Sequence, residues 1–258
     1  MLELEIFDLK LETEWIGRNF LLLEETESTN SFILSDKNDF PNGTVVFAEN
    51  QTAGRGRLNR TWVSAPEQNL TFSVLLTEIS PLMPDLHLVN FAASIAVANS
   101  ISNLYQLPTD LKWPNDVLVR NKKISGILVE SVSSGSQVRK LALGIGVNVN
   151  QTIFNGDYLI QPTSVKNELR ESASREKFLA ELLNNLEQGL LELAADKQAV
   201  IDEWKSKCSA LHDKITIKID SKEYDGILDD IDEHGFLILR TPDEEIKKFT
   251  FGDIQVRG

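Results

Sequence analysis

The most distinctive segment of the chain reads Gln51-Thr52-Ala53-Gly54-Arg55-Gly56-Arg57-Leu58-Asn59-Arg60-Thr61-Trp62. Its three arginines, with no acidic residue among them, form a local positive site in a protein whose net charge is −13. Glycine lets backbone N–H groups approach a ligand closely, and guanidinium groups match the oxygens of phosphates and carboxylates. The segment therefore predicts an anion-binding loop, with a solvated basic loop as the open alternative. A Walker A loop is excluded, because no Gly-Lys-Ser/Thr ending is present.

Apolar, β-branched runs lie on both sides of this segment. The runs 43–49 and 70–77 predict two strands joined by about twenty residues, which is long for a connection in a compact domain and typical of functional loops. Elsewhere, strand-like and helix-like segments alternate without a repeated βαβ unit. The further predicted strands are 20–25, 116–120, 124–131 and 141–148. The predicted helices are a short one capped by Ser28 or Thr29, an amphipathic one over 84–105, and a long one capped by Ser174 that runs to about Lys205.

Two lysine-containing segments have residues suited to chemistry. Residues 112–116 read Lys-Trp-Pro-Asn-Asp, and the proline predicts that Asn115 and Asp116 stand at the end of an element. Taken alone, the segment favours the simpler interpretation, an ordinary ion pair between Lys112 and Asp116. Lys123 precedes an apolar run, so it is either a solvated lysine at a hairpin end or a partly desolvated ammonium that stabilises a forming anion.

Two uncharged segments complete the set of candidates. Residues 144–150 read Gly-Ile-Gly-Val-Asn-Val-Asn, and glycines within a strand indicate the close approach of a backbone or a ligand. A buried strand with bulges is the alternative. Ser28-Thr29-Asn30 offers hydroxyl and amide groups to a neutral polar ligand, although a plain helix cap explains it as well.

Composition limits the function classes. The acidic net charge argues against general nucleic-acid binding, which depends on Lys and Arg. The single cysteine, Cys208, excludes an intrachain disulfide framework, and three histidines with one cysteine do not make a usual zinc site. The N-terminal residues do not resemble a secretory signal, and no apolar run is long enough to span a bilayer. These features predict a cytoplasmic protein.

After Cys208 the sequence changes to short strand-like segments separated by turns. These segments are 215–219, 223–229, 235–239 and 246–251, with Asp-Ser, Glu-His-Gly and Pro-Asp at the breaks. The pattern predicts a small β-barrel of about fifty residues. We therefore expect two domains, residues 1–208 and 209–258.

The motifs together are more specific than any one of them. They are Glu-Ser-Thr-Asn at 27–30, Gln-x-Ala-Gly-Arg-Gly-Arg at 51–57, Lys-Trp-Pro-Asn-Asp at 112–116, Lys-x-x-Gly-Ile-Leu-x-Glu at 123–130 and Gly-Ile-Gly-Val-Asn at 144–148. In order and spacing they resemble the biotin–protein ligase family, from about residue 18 to the C-terminus. The resemblance implies an α+β fold, with a mixed central sheet flanked by helices as in class II synthetases and a C-terminal SH3-like β-barrel.

The resemblance also implies roles for individual residues. Lys123 and Arg57 are the expected catalytic residues, Lys123 beside the biotin carboxylate and Arg57 in a loop that closes over the adenylate. The ligands of the metal ion stay unassigned. The expected biotin site comprises Ser28, Thr29, Asn30, Gln51, Arg55, Gly56, Arg57 and Lys123. The expected ATP and adenylate site comprises Arg57, Arg60, Trp62, Asn115, Asp116 and Asn148.

Ligases of this family run two half-reactions. The biotin carboxylate attacks the α-phosphate of ATP, with Mg²⁺ sharing the phosphate charge, and gives biotinyl-5′-adenylate and pyrophosphate. A lysine of an acceptor protein then displaces AMP. The resemblance thus implies a biotin–[acetyl-CoA-carboxylase] ligase whose partner is a biotin carboxyl carrier protein.

Some features depart from the family or leave alternatives open. Asn59 stands where many members have glycine, although Asn tolerates positive φ better than most residues. About twenty residues precede the catalytic region, too few for the helix-turn-helix of the repressor members, so a monofunctional ligase with no DNA or membrane partner is expected. Edge strands of the sheet leave a homodimer open. A lipoate–protein ligase and a non-catalytic biotin or nucleotide sensor are the alternative functions. The Gly-Arg-Gly-Arg loop and the C-terminal barrel favour biotin over lipoate, and Lys123 with the three loop arginines argues against a sensor.

Overall fold

The computed structural model describes residues 1–58, 60–63, 65–83, 85–135 and 137–256, so the expectation for Asn59 lies outside the described residues. Seven strands form the larger sheet: β1 (Phe20–Thr26), β2 (Val45–Gln51), β3 (Leu70–Leu76), β4 (Thr109–Lys112), β5 (Asp116–Val119), β6 (Lys122–Ser134) and β7 (Gln137–Val147). Their order is β1-β2-β3-β7-β6-β5-β4. β1 and β2 run parallel and the other neighbours antiparallel. The predicted mixed central sheet is therefore confirmed.

Six α-helices accompany this sheet in the described part of the chain. They are α1 (Leu4–Lys10), α2 (Thr29–Leu34), α3 (Val89–Tyr105), α4 (Val165–Leu169), α5 (Arg175–Ala195) and α6 (Lys197–Ser206). The predicted caps are confirmed, because the Ser28 hydroxyl accepts from the Ser31 N–H and the Ser174 hydroxyl from the Lys177 N–H. α1, β4 and α4 were not predicted.

The single long helix predicted up to about Lys205 is wrong. α5 ends at Ala195, and the Asp196 carboxylate then accepts from the N–H groups of Gln198 and Ala199. An aspartate side chain that accepts from the free N–H groups of a first helical turn acts as an N-cap, so it favours the start of a new helix. The chain therefore enters α6 at Asp196.

The prediction of an amphipathic helix over 84–105 needs two corrections. α3 begins at Val89 after a 3₁₀ turn at Leu86–Leu88, and Pro84 lies outside the described residues. The helix packs between the larger sheet on one side and α5 and α6 on the other, so most of it is buried and Leu104 is half-exposed. α2 covers the opposite face of the sheet, where Ile33 packs against Val46 and Leu75.

Five strands form a second, antiparallel sheet: β8 (Lys214–Ile219), β9 (Lys222–Ile231), β10 (Leu237–Arg240), β11 (Ile246–Phe249) and β12 (Asp253–Val256). Their order is β11-β10-β9-β8-β12. Four of these strands lie where the sequence predicts them, and β12 was missed. The sheet confirms the predicted small C-terminal β domain of an α+β protein.

Polar contacts join the smaller sheet to the rest of the chain. The buried Trp113 Nε1–H donates to the Gly235 carbonyl at 3.0 Å. Asp85 lies 2.7 Å from His234 Nδ1 and accepts from Lys197 Nζ at 2.9 Å. Burial raises the pKa of the Asp85 carboxyl, but the hydrogen bonds from His234 and Lys197 outweigh it and leave that pKa below its usual value. Among the described residues, no helix combines the length and apolar character needed to cross a membrane.

Candidate active site

A cleft of about 440 Å³ is lined by β3, β6 and β7 of the larger sheet, by the loop that follows β2, and by β12 of the smaller sheet. The structure brings together in this cleft all thirteen residues to which the sequence assigned a site. They are Ser28, Thr29, Asn30, Gln51, Arg55, Gly56, Arg57, Arg60, Trp62, Asn115, Asp116, Lys123 and Asn148. Their placement in one cavity is a finding, whereas their individual roles stay predictions.

One end of the cleft, here called the neutral end, is lined by the uncharged side chains of Ser28, Thr29, Asn30 and Gln51, and the Ser73 hydroxyl supports two of them. Gln51 Oε1 accepts from the Thr29 N–H at 2.8 Å and from its hydroxyl at 3.1 Å. The Ser73 hydroxyl lies 2.7 Å from Thr29 Oγ1 and 2.6 Å from Asn30 Oδ1. All of these residues except Gln51 are buried, so the hydrogen bonds fix the directions of the donors and acceptors in a region of low dielectric.

Three glycines of β6 and β7 make room for side chains above the sheet. A Cβ on Gly144 would lie 2.5 Å from Asn30 Oδ1. A Cβ on Gly146 would overlap the Trp62 ring, and one on Gly126 would lie 3.3 Å from Trp62 Cζ3. The close approach predicted for the strand glycines is therefore real. It creates a flat slot that the Trp62 indole fills.

The loop that follows β2, here called the basic loop (described over residues 52–58 and 60–62), folds back on itself. The Trp62 N–H donates to the Gly54 carbonyl at 3.0 Å, and the Gly56 N–H donates to the Arg60 carbonyl at 2.7 Å. A Cβ on Gly54 would overlap the Trp62 carbonyl, so only glycine allows this closure. The hairpin aims several arginine side chains at surrounding carboxylates.

At the opposite end, here called the cationic end, the cleft is lined by Arg57, Arg60, Lys112 and Lys123. Arg60 holds both oxygens of the Asp253 carboxylate, at 2.6 and 2.8 Å. Arg57 donates to Asn115 Oδ1 at 3.1 Å and to the Gly252 carbonyl at 3.2 Å. Burial lowers the pKa of the Arg57 guanidinium, and the nearby Asp253 carboxylate opposes this.

Lys123 is held on both its backbone and its side chain. Its N–H donates to the Gln161 carbonyl and its carbonyl accepts from the Thr163 N–H, both at 2.8 Å. Its ammonium lies 2.6 Å from Asp116 Oδ1 and 5.9 Å from the centre of the Trp62 ring. A partly buried ammonium paired with one carboxylate is a charge that an incoming anion can share.

The ion pair of Asp116 is therefore with Lys123, whereas the sequence had suggested Lys112 as the ordinary partner. Lys112 lies opposite Asp116 in the β4–β5 ladder and lines the same cleft. Burial lowers the pKa of the Lys112 ammonium, and the Asp116 carboxylate partly opposes that shift.

Two buried asparagines fix the walls at this end. Asn115 donates from Nδ2 to the Ile127 carbonyl at 2.5 Å, and Asn148 donates from Nδ2 to the Thr163 carbonyl at 3.0 Å. Trp62 Nε1 is buried and has no hydrogen-bond partner among the described residues. A buried indole N–H usually has an acceptor, so this group is a donor available to a bound ligand.

Several residues in the site or in contact with its residues were not predicted from the sequence. Ser73 lies within the apolar strand β3, and nothing around it marks it as functional. Asp253 lies 193 residues from Arg60 in the chain. Glu130 belongs to the motif at 123–130 and could have been noticed there, because it accepts from Arg55 at 2.9 Å. Residues 154–160 line the cleft without any recognisable signal.

Two family models match the chain. The model of the Biotin/lipoate A/B protein ligase family matches residues 22–148. The model of the Biotin protein ligase C terminal domain matches residues 214–257. The first region contains every residue that the sequence predicted for the site, and the second contains the whole smaller sheet.

Proteins of known activity are similar over nearly the whole chain. The bifunctional ligase/repressor BirA of Bacillus subtilis is 31% identical over 252 residues, which are 95% of this chain and 76% of that protein. The biotin–[acetyl-CoA-carboxylase] ligase of Paracoccus denitrificans is 32% identical over 86% of this chain and 94% of its own length. The solved structure of the biotin protein ligase from Aquifex aeolicus, in complex with biotin and ATP, superimposes with a TM-score of 0.81 at 27% identity and covers 93% of this chain and 99% of that one.

Proposed function

We propose, from the premise that this chain belongs to the biotin protein ligase family, that its cleft binds biotin at the neutral end and ATP at the cationic end. The function is that of the family: the protein activates biotin with ATP and transfers it to a carboxylase carrier. The assignment of the two ends is supported by the different side chains that line them. Buried uncharged hydrogen-bonding groups line one end, and four basic side chains line the other.

The neutral end complements the biotin head group, a cyclic urea with one carbonyl acceptor and two N–H donors. The Thr29 hydroxyl donates to Gln51 Oε1 and lies 2.7 Å from the Ser73 hydroxyl, which leaves it one lone pair to accept from a urea N–H. The Gln51 amide N–H groups can in turn donate to the urea carbonyl. Ser28 and Asn30 extend this set, and Arg55 and Gly56 of the basic loop would cover it.

Lys123 and Arg57 are the proposed catalytic residues. In the first step a biotin carboxylate oxygen forms a bond to the α-phosphorus while the bond from that phosphorus to pyrophosphate breaks. Negative charge then gathers on the phosphate oxygens, where the Lys123 ammonium would stabilise it. Arg57 and Arg60 would exchange their present acceptors for phosphate oxygens, which bind guanidinium groups in the same planar geometry.

The walls of the cationic end would position the nucleotide. The adenine ring would stack on the Trp62 indole, with the buried Asn148 beside it and Asn115 bracing the phosphate side. Mg²⁺ that arrives with ATP uses one or two carboxylates together with phosphate oxygens, and it would share the phosphate charge. Asp116 lines the cleft beside Lys123 and is a carboxylate suited to hold it.

For transfer, the carrier lysine must reach the adenylate while water is kept away from it. The basic loop, ordered over the bound adenylate, would keep the mixed anhydride from hydrolysis until a carrier lysine attacks its acyl carbon and AMP leaves. The partner is then a biotin carboxyl carrier protein, of the kind implied by the name of the Paracoccus relative.

We place the domain boundary after Cys208, between α6 and β8, because the two sheets have separate hydrogen-bond ladders.

The chemistry of the chain is consistent with a cytoplasmic enzyme that does not bind DNA. Burial raises the pKa of the Cys208 thiol to about 12, which suits a structural cysteine in the reducing cytoplasm. The net charge of −13 argues against direct DNA binding. A homodimer through an edge strand stays a prediction.

Two measurements test the function. Calorimetric titration with biotin and with lipoate should show tight binding of biotin only, and tight lipoate binding without biotin binding would favour a lipoate ligase. Incubation with ATP, biotin and a carrier domain should release pyrophosphate and AMP and add one biotinyl group to the carrier. Ligand binding without either product would identify a sensor instead.

A further inference from the structure

Glu130 joins the two parts of the proposed biotin site without lying in it. It lies on β6, two residues beyond Leu128, which lines the cleft. Its Oε2 atom accepts from Asn30 Nδ2 at 2.8 Å and from Arg55 NH2 at 2.9 Å. One carboxylate oxygen therefore links a buried residue of the neutral end to an arginine of the basic loop.

These contacts complete a chain of hydrogen bonds that begins just before the basic loop, at Gln51, and ends within it, at Arg55. It starts at Gln51, the last residue of β2, and passes through Thr29 and the Ser73 hydroxyl to Asn30. From Asn30 it continues to Glu130 and then to Arg55. The backbone from Gln51 to Arg55 completes the circuit, so the position of the basic loop is tied to the geometry of the neutral end.

We propose that Glu130 is a positioning residue that holds Arg55, and with it the basic loop, over an occupied biotin site. The proposal rests on the proposed function, because it takes the neutral end as the place where biotin binds. Glu130 has 30% of its side chain exposed and Arg55 has 47%, so the pair alone is weak in the free protein. A ligand that covers the neutral end removes water from the pair and strengthens it.

Arg55 can serve Glu130 and a ligand together. A guanidinium group has five N–H donors, and the bond to Glu130 uses the NH2 nitrogen. The remaining donors stay available to a ligand oxygen in the same plane. Glu130 thereby fixes the orientation of the Arg55 guanidinium before biotin binds. Less side-chain entropy is then lost on binding, and biotin is released more slowly.

The test is the rate of biotin release from the enzyme, measured by chase with excess unlabelled biotin in four proteins. These are the unaltered enzyme, Glu130→Ala, Arg55→Ala and the double variant. We expect Glu130→Ala to speed release about tenfold, the effect of losing a charge-assisted hydrogen bond that is partly exposed. In the Arg55→Ala background the same change should have less than about a twofold effect, since interactions between coupled residues are not additive. The KM for ATP should stay unchanged.

Two further variants separate positioning from folding. Glu130→Gln keeps an acceptor oxygen but loses the charge, so it should restore most of the slow release. Glu25→Ala removes an exposed carboxylate that also accepts from an asparagine, Asn50, at 2.8 Å on β1 and β2, and it should release biotin like the unaltered enzyme. If Glu130→Ala does not fold, the comparison uses Glu130→Gln, with about threefold faster release expected in the unaltered background only.

Three results would overturn the proposal. They are an equal effect of the Glu130 substitution with and without Arg55, an unchanged rate of release, and a parallel rise in the KM for ATP. Failure of the proposed function itself looks different, because the unaltered enzyme and Glu25→Ala would then not retain biotin at all.

Discussion

The neutral end and the cationic end of the cleft are held together by different interactions. At the neutral end, the buried hydroxyl of Ser73 and the side chains of Thr29 and Asn30 bond to one another. At the cationic end, basic groups bond to acceptors from elsewhere in the fold, as Arg60 does to Asp253 of the smaller sheet and Lys123 to Asp116.

Because of this difference, we expect the neutral end to select the ligand and the cationic end to stabilise charge during the reaction. A buried network of neutral groups keeps its shape and selects a ligand by the pattern of donors and acceptors. Basic groups paired with carboxylates must exchange partners when phosphate oxygens arrive, and they act most strongly where charge develops during the reaction. Substitutions at the two ends should therefore affect different kinetic constants.

The largest effect is expected at Lys123. Lys123→Ala should slow adenylate formation by about a hundredfold, because it removes an ammonium beside the phosphate that gains charge. Biotin affinity should fall much less. Pyrophosphate release in a single turnover measures the first quantity and calorimetry the second. Lys122→Ala, at the neighbouring exposed lysine that pairs with Glu168, is the matched control. Equal losses in rate and affinity would contradict the assignment.

The next largest effect is expected in the slot beneath Trp62. Gly146→Ala places a methyl group inside the volume of the indole ring, and such overpacking costs about 2 kcal/mol. ATP affinity should fall by about thirtyfold at the ordinary conversion of 1.4 kcal/mol per tenfold. Gly189→Ala on α5, where the nearest atom would lie 3.6 Å away, should leave ATP affinity unchanged. Normal ATP binding by Gly146→Ala would disprove the stacking role of Trp62.

A smaller effect is expected at Arg57, which holds the basic loop to Asn115 and to Gly252. Arg57→Ala should speed the leakage of biotinyl-adenylate about tenfold, because each lost hydrogen bond to a charged group is worth about 1.5 kcal/mol or more. Release of labelled adenylate from a preformed complex measures this rate. The exposed Arg139 on β7 supplies the control variant Arg139→Ala. An unchanged leakage rate would argue against closure by this loop.

The smallest effect is expected at Ser73. Ser73→Ala leaves Thr29 and Asn30 without one shared partner, which costs about 1 kcal/mol and should weaken biotin binding about fivefold. The KM for ATP should not change. The buried Ser94 on α3, whose hydroxyl bonds within its own helix, offers the control Ser94→Ala. A rise in the KM for ATP would show that the two ends are not independent.

The fold could be predicted from the sequence wherever a local pattern determines the secondary structure of a segment. The caps at Ser28 and Ser174 depend on neighbours close in the chain. The glycines at 144 and 146 stand out within an apolar strand, although the side chains that they admit, Asn30 and Trp62, are distant in the chain. β4 was missed because its four residues are too few to show a hydrophobic periodicity. It is a strand because it pairs with β5 and donates to the Lys207 carbonyl. The break at Asp196 was missed because the apolar spacing continues across it.

The site shows the same limit. The thirteen residues that meet in one cleft could be predicted because they belong to sequence segments with recognisable spacing. Ser73 and Asp253 belong to no motif, and each acquires its place through partners more than forty residues away. Pairing between distant residues depends on the tertiary fold, so a local pattern cannot reveal it.

The division of the cleft is tested most directly by single-turnover pyrophosphate release, titrated over biotin concentration, in Ser73→Ala and Lys123→Ala. The half-saturating concentration reports biotin binding, and the plateau reports the chemical step. We expect Ser73→Ala to raise the half-saturating biotin concentration and to keep the plateau rate, whereas Lys123→Ala should lower the plateau rate with little change in the half-saturating concentration. Changes of similar size in both constants for both variants would contradict it.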